Sequence, residues 1–230
     1  MLPLIQAPTF KTIIPSIEQE VMMRPFVVKE EKILLLAKQS NDKDQIFLAV
    51  QQVVQNCLLD QEYDVTKLPF FDVEYLFIQL RLNSIGDSIN LKLVDDESGE
   101  EVNATIDLND LKIEVSEDIQ DQVEISDDTF IRFKYPSMKD LSKLSTESEV
   151  DSFFDLLRCC IDTIIQGETV YDFTLYSDDE RSEFIESMSM EHLNKCRDFV
   201  SNLPTTQITA KWKSGKEVKE KIIKGMNSFF

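Results

Sequence analysis

Apolar residues recur at intervals of three and four between residues 30 and 82 and at every second position in the stretch that follows. This change of period marks a passage from helix to strand. Glu30 to Ser40 has helical spacing, a Lys-Glu-Glu-Lys start and a wide apolar face. Asn41 or Asp42 can then cap a second helix over Asp44 to Leu59, where Ile46, Val50, Val53, Val54 and Cys57 repeat on one side. After Lys67-Leu68-Pro69, Asp72 stands where an N-cap belongs, and Val73 to Leu82 completes a predicted three-helix bundle. The first 23 residues carry three prolines and no clean period, which predicts an extended arm lying on a partner or on the protein's own body.

Alternation begins at Ser88. Ser88 to Leu93 runs into the turn Asp95-Asp96-Glu97-Ser98-Gly99, and Val102, Ala104, Ile106 and Leu108 alternate beyond it, so a β-hairpin is expected. Gln207 to Trp212, Lys213-Ser214-Gly215-Lys216 and Val218 repeat the device near the end of the chain. Ser98-Gly99-Glu100-Glu101-Val102 aligns with Ser214-Gly215-Lys216-Glu217-Val218, giving two hairpins of opposite charge, although so short a match does not establish a duplication. Between them the pattern predicts a strand over Thr129 to Tyr135 and helices near Glu147 to Gln166, Asp178 to Met188 (capped by Asp178) and Met190 to Asn202. The expected fold class is α+β: an N-terminal helical bundle with a β-hairpin, followed by a second helical region ending in a β-hairpin. The corresponding domains are an N-terminal arm (1–23), helices plus hairpin (24–114), an acidic joint (115–128) and a region of strand, helices and basic hairpin (129–230).

Composition narrows the function classes. With 230 residues, 42% of them hydrophobic, the chain can bury a core. It contains no apolar run long enough to span a membrane, and Met1 to Ile14 does not read as a signal peptide, so a cytoplasmic protein is expected. A formal charge of −19 argues against nucleic acid as a partner, because phosphate affinity comes from Lys and Arg. The acid is concentrated: Asp95 to Asp128 holds 14 carboxylates against Lys112 alone. The tail reverses sign, with Lys211, Lys213, Lys216, Lys219, Lys221 and Lys224 outweighing Glu217 and Glu220. Solvated surface and an electrostatic docking face are both open readings of this reversal.

Catalytic chemistry is hard to place. His192 is the single histidine, and five glycines form no phosphate-cradling loop. Cys57, Cys159, Cys160 and Cys196 have no zinc-knuckle spacing, and Cys159 and Cys160 would point about 100° apart on a helix. Core packing in reduced form is expected, and no metal or cofactor is predicted. Paired aromatics at Phe70-Phe71, Phe153-Phe154 and Phe229-Phe230 read either as core or as anchors for a partner.

Two blocks carry a family resemblance. Arg24-Pro25-Phe26-Val27-Val28-Lys29-Glu30-Glu31-Lys32-Ile33-Leu34-Leu35-Leu36-Ala37 and Phe71-Asp72-Val73-Glu74-Tyr75-Leu76-Phe77-Ile78-Gln79-Leu80-Arg81 resemble the baseplate hub assembly proteins of T4-like contractile-tailed bacteriophages. The likeness covers residues 20 to 110, and the Gly-x-x-x-Phe-Phe ending is similar too. Where relatives carry Cys-x-x-Cys-Gly-like turns, this chain has Asp95 to Gly99 and Lys213 to Gly215, so any zinc such turns hold has no ligands here and the hairpins must hold by packing.

The resemblance implies a non-enzymatic protein that binds phage baseplate hub proteins and promotes hub assembly in the host bacterial cytoplasm, leaving afterwards or staying in the virion baseplate. Candidate partner-binding residues are Arg24, Phe26, Lys29, Glu30, Glu31, Phe71, Glu74, Tyr75, Arg81, Phe229 and Phe230. The alternative for these positions is a core of Phe26, Phe71 and Tyr75 with Arg24 paired internally to Glu30 or Glu74. Competing functions are a permanent baseplate subunit, an acidic nucleic-acid mimic that inhibits a host enzyme and, more distantly, a cysteine enzyme using Cys159 or Cys160. Oligomeric state is not legible in the sequence.

Overall fold

A computed structural model describes residues 5, 7–60, 62–116, 119–142, 144, 148–214 and 217–225. The chain forms two compact units, Met1–Glu114 with Thr205–Phe230, and Val115–Pro204. The described residues form seven α-helices and eleven strands in three sheets.

The first unit opens on strands, which corrects the expected N-terminal arm and bundle. β1 (Phe10–Ile14) and β2 (Gln19–Met23) pair antiparallel, with Phe10 opposite Met23 and Ile14 opposite Gln19. Thr12, Ile14, Val21 and Met23 point inward, a period of two that the surrounding prolines masked. Pro15 does not break this hairpin, because it sits in the connecting turn where its fixed φ is useful. The Met22 N–H donates to Asp60 Oδ2 (2.7 Å) and the Leu59 N–H to the Met22 carbonyl (2.9 Å), tying β2 to the end of the second helix.

Three helices follow: α1 (Val28–Ser40), α2 (Lys43–Cys57) and α3 (Phe70–Ser84). Asn41 ends α1 in the left-handed conformation (φ 54), and Asp42 caps α2 by accepting from the Asp44 N–H (2.9 Å), as the sequence predicts. Asp72 is not the cap of α3. The helix starts earlier, after Pro69, and places Asp72 in its first turn, fully buried, where it accepts from the Ser16 N–H (2.9 Å) and Ser16 Oγ (2.5 Å). The predicted hairpin then appears as β3 (Ser88–Val94) and β4 (Glu101–Asp107), followed by the short β5 (Lys112–Glu114).

The second unit is an antiparallel sheet packed with helices. It contains β6 (Gln122–Ser126), β7 (Thr129–Phe133), α4 (Met138–Leu141), α5 (Glu149–Cys160), β8 (Ile161–Gln166), β9 (Thr169–Asp172), α6 (Asp178–Glu186) and α7 (Met190–Ser201). The strands lie in the order β6-β7-β8-β9. The segment expected to be one helix over 147–166 changes state at Cys160, and the β-branched run Ile161, Thr163, Ile164 and Ile165 forms β8 instead. Ser177, not Asp178, caps α6 in a capping box with Glu180, whose Oε2 accepts from the Ser177 N–H (2.9 Å). The core holds Ile131, Phe133, Leu157, Ile161 and Phe199, with the rings of Phe133 and Phe199 stacked at 4.5 Å.

The chain then returns to the first unit. β10 (Thr205–Ser214) and β11 (Glu217–Lys224) form the second predicted hairpin, but they do not close the helical region that precedes them. β10 pairs with β4 (Ala210 opposite Ile106) and with β5 (Thr206 opposite Ile113), giving the order β11-β10-β4-β3. The two hairpins of opposite charge are therefore neighbours in one sheet. Their inward residues, Ala104, Ile106, Ile208, Ala210 and Trp212, are buried.

Candidate interaction surface

The two blocks that carry the family resemblance both lie in the first unit, where α1 and α3 each pack on α2. Arg24, at the exit of β2, donates through Nη2 to Glu30 Oε1 (2.9 Å) and to the Asn56 carbonyl (2.9 Å). Glu30 is fully buried in the first turn of α1, and its Oε2 also accepts from the Val27 N–H (3.0 Å) while Lys29 Nζ stands 3.3 Å from Oε1. Burial alone would raise the Glu30 carboxyl, but the bonds from Arg24 and the Val27 N–H hold it below the usual carboxylate range. The same bond raises the Arg24 guanidinium. Arg24 and Glu30 thus brace β2, α1 and α2 together.

The remaining candidates divide by exposure. Phe71 is buried beside Phe70, ring edge to ring face at 6.2 Å. Glu74 is buried and accepts from the Thr206 hydroxyl (2.6 Å), which links α3 to β10. Phe26 is half-buried, and its N–H donates to Ser84 Oγ (3.0 Å) at the end of α3. Tyr75, Glu31 and Arg81 are half-buried too; burial lowers the Arg81 guanidinium from its ordinary value, and the charge of Glu31 opposes that effect. Lys29 is exposed. Phe229 and Phe230 lie outside the described residues.

Beside these braces α1 presents an apolar face that the candidate set did not include. Val28 is 85% exposed, Leu35 52% and Leu36 56%, and with Lys32 and Gln39 they occupy one side of a helix of 3.6 residues per turn. The opposite side buries Glu30 and Ala37. Ile33-Leu34-Leu35-Leu36 is apolar without interruption, so its sequence does not tell the inner side from the outer one. Leu48, on α2, is also exposed.

The reversed charges of the two hairpins are matched within the first unit. Lys219 Nζ lies 3.0 Å from Asp95 Oδ2 and 2.7 Å from Glu97 Oε2; Lys221 reaches Asp96 at 2.7 Å and Lys224 reaches Glu114 at 2.7 Å. Asp95 is buried and also accepts from Trp212 Nε1 (3.3 Å). Its carboxyl is held down at about 2, first by the Glu97 N–H and then by Lys219. Ion pairs therefore join packing in holding the two hairpins in one sheet. Among the described residues no three His, Cys, Asp or Glu side chains lie close enough together to hold a metal ion. The cysteines are free thiols; Cys57, Cys160 and Cys196 are buried, and burial pushes Cys57 and Cys196 up to about 11 and Cys160 higher still. None of these three is thiolate at neutral pH.

Among the described residues no helix is long and apolar enough to cross a membrane. Neither curated proteins nor solved structures return a match to the chain. A family model described as T4 bacteriophage base plate protein matches residues 7–230, which takes in both motif blocks, both units and the returning hairpin. With the likeness extending across nearly the whole fold, this chain belongs to the T4 bacteriophage base plate protein family.

Proposed function

We propose that this protein promotes assembly of the central baseplate hub by binding hub subunits in the host cytoplasm, without catalysing a reaction. The observation that carries the reading is the apolar face of α1, where Val28, Leu35 and Leu36 stand in solvent beside Lys29 and Lys32. An exposed apolar stripe with a charged fringe suits a protein that covers another subunit's apolar interface until its permanent neighbour displaces it. Burying side chains of this kind contributes about 1.5–3 kcal/mol each when burial is complete, partly offset by the cost of association. The partner residues on this reading are Phe26 and Lys29 together with the α1 face, while Arg24, Glu30, Phe71 and Glu74 set its position from within. Nucleic acid has no part in it, since a chain of −19 repels phosphate.

The test is affinity purification of a tagged copy from infected cells, with mass spectrometry of the captured proteins and of finished particles. Hub proteins in the capture, absence from particles, and loss of capture in a Leu35→Lys, Leu36→Lys variant with unchanged circular dichroism are the expected results. A fixed stoichiometry in particles would replace assembly by a permanent structural role. Capture unchanged by the double variant would sink the α1 surface.

A further inference from the structure

The sheet of the second unit has two edges, and they are treated differently. At one edge β6 carries a register irregularity between Glu124 and Ser126, and Lys195 Nζ donates to the Glu124 carbonyl (3.4 Å). Irregular pairing and a covering lysine are both ways of blunting an edge against a further strand. At the other edge β9 pairs, among the described residues, with β8 alone, and all four of its residues are exposed. It has no proline and no lysine.

The backbone of β9 is set for pairing. Gln166 lies opposite Thr169 across the two-residue turn Gly167-Glu168, with Gly167 in the left-handed region (φ 58). In such a hairpin the pair next to the turn, and each second pair beyond it, exchanges hydrogen bonds inward. Thr169 and Tyr171 therefore bond to β8, Val170 turns its N–H and C=O to the open side, and Asp172 turns its N–H there while its carbonyl caps the 3-10 turn Phe173–Leu175 that follows. Val170 is 63% exposed.

A groove of about 380 Å³ lies over the face of the sheet from β7 to this edge, lined by Thr129, Ile164 and Tyr171 of the strands and by Phe173, Tyr176 and Phe184 of the segment that follows. Leu175, 81% exposed, extends the apolar surface next to it. The surroundings are acidic: residues 168–186 hold seven carboxylates and one cation, Arg181. That arginine is engaged, ion-paired to Asp178 and placed over the Phe173 ring at 6.0 Å from its centroid. The second unit as a whole carries 21 carboxylates against 8 basic residues.

We propose that β9 and the adjoining aromatic groove form a second binding site, which takes an extended segment of a partner protein carrying alternating apolar and basic side chains as an added strand. Main-chain bonds to Val170 and Asp172 supply affinity, alternate apolar side chains reach Tyr171 and the groove, and lysine or arginine side chains meet the carboxylate rim. Charge selects this occupant. A second copy of the chain would bring −19 to a unit that is itself strongly acidic, and the described lysines of its basic hairpin at 219, 221 and 224 are already paired with carboxylates of the same unit. The site belongs to the second unit and the α1 face to the first, with no residue in common, so the proposal stands or falls independently of hub assembly.

Titration of the full-length, 15N-labelled protein with a blocked octapeptide of alternating lysine and valine tests the site, with an octapeptide of alternating glutamate and valine as control. Expected are saturable amide shifts at Val170, Tyr171, Asp172 and Phe184 with the lysine peptide only. Val170→Pro removes the outward N–H and should weaken binding about tenfold, as the loss of a ladder bond at an edge strand would. The Asp179→Lys, Glu183→Lys variant leaves the strand intact, and should also weaken binding and reduce its salt dependence. Shifts absent or confined to α1 would remove the site, equal binding of both peptides would remove the basic occupant, and undiminished binding to Val170→Pro would remove strand addition.

Discussion

Replacing Asp72 with asparagine should stabilise this protein at neutral and alkaline pH and leave it nearly unchanged in mild acid. Asp72 is fully buried in the first turn of α3, and Ser16 donates to its carboxylate through N–H (2.9 Å) and Oγ (2.5 Å). Burial pushes its carboxyl up from 3.8 to about 6, and the two Ser16 bonds offset only part of that rise. The folded state therefore holds the proton more tightly than the unfolded chain does. Its contribution to stability is complete below about pH 4 and is lost as pH rises through 6. At about 1.36 kcal/mol per pH unit, ionised Asp72 leaves the fold about 3 kcal/mol less stable at pH 8 than the protonated form would be. Asparagine keeps an oxygen for the Ser16 N–H, and its amide donates to Ser16 Oγ once that hydroxyl turns.

Urea unfolding of both proteins at pH 4, 6 and 8, followed by circular dichroism, isolates this residue as a difference between variants, since the other 42 carboxylates titrate in both. Asp72→Asn should gain between about 1 and 3 kcal/mol at pH 8 and close to nothing at pH 4. A loss of stability at pH 8, or a difference independent of pH, would refute the reasoning. Either result would mean that the carboxylate is solvated or ion-paired in solution.

Other expectations follow from the same contacts. Glu30→Ala leaves Arg24 facing the Asn56 carbonyl without its anion and should cost about 3 kcal/mol or more, read as a lower urea midpoint. Lys219→Met removes a donor from buried Asp95, whose stabilising charge is present above its unfolded value and lost as pH falls towards 2. In that variant the acid transition of the single tryptophan, Trp212, should move to higher pH, and an unmoved transition would mean that the Glu97 N–H alone holds the charge. Titration with a chromogenic disulfide at pH 8 should label at most Cys159 in the native protein and all four cysteines in urea; rapid native labelling of Cys57, Cys160 or Cys196 would contradict their burial.

The helices and hairpins with a clear period were legible, and the residues at which one period meets another were not. α2 carries apolar residues on one face and Asp42 at its start, so its limits are fixed locally. The Glu147 to Gln166 segment is apolar enough for either state, and only β8's place between β7 and β9 settles Ile161 to Gln166 as strand. Asp72 shows the other kind of difficulty. Its type and position suit a cap, but a contact with Ser16, 56 residues earlier, decides its role. The charge reversal between the two hairpins was visible, while its meaning depended on β10 pairing with β4 across a second unit of chain.

Within the blocks that carry the family resemblance some side chains are fixed from inside and others face solvent, and the physics of the two groups differs. Arg24, Glu30, Phe71, Asp72 and Glu74 are fixed by several simultaneous partners in the first unit, so each needs its own chemistry at its own spacing. Such residues leave a readable signature in one chain. Val28, Leu35, Leu36, Val170 and Leu175 answer to no internal partner of comparable specificity, and the fold would tolerate other side chains there at a cost within about 0.5 kcal/mol. A surface under so little internal constraint can be matched to a partner without disturbing the braces beneath it. The braces of the first unit are therefore fixed from within, and on the two proposals above the choice of partner rests with the exposed surfaces, one apolar with lysines around it and one aromatic with carboxylates around it.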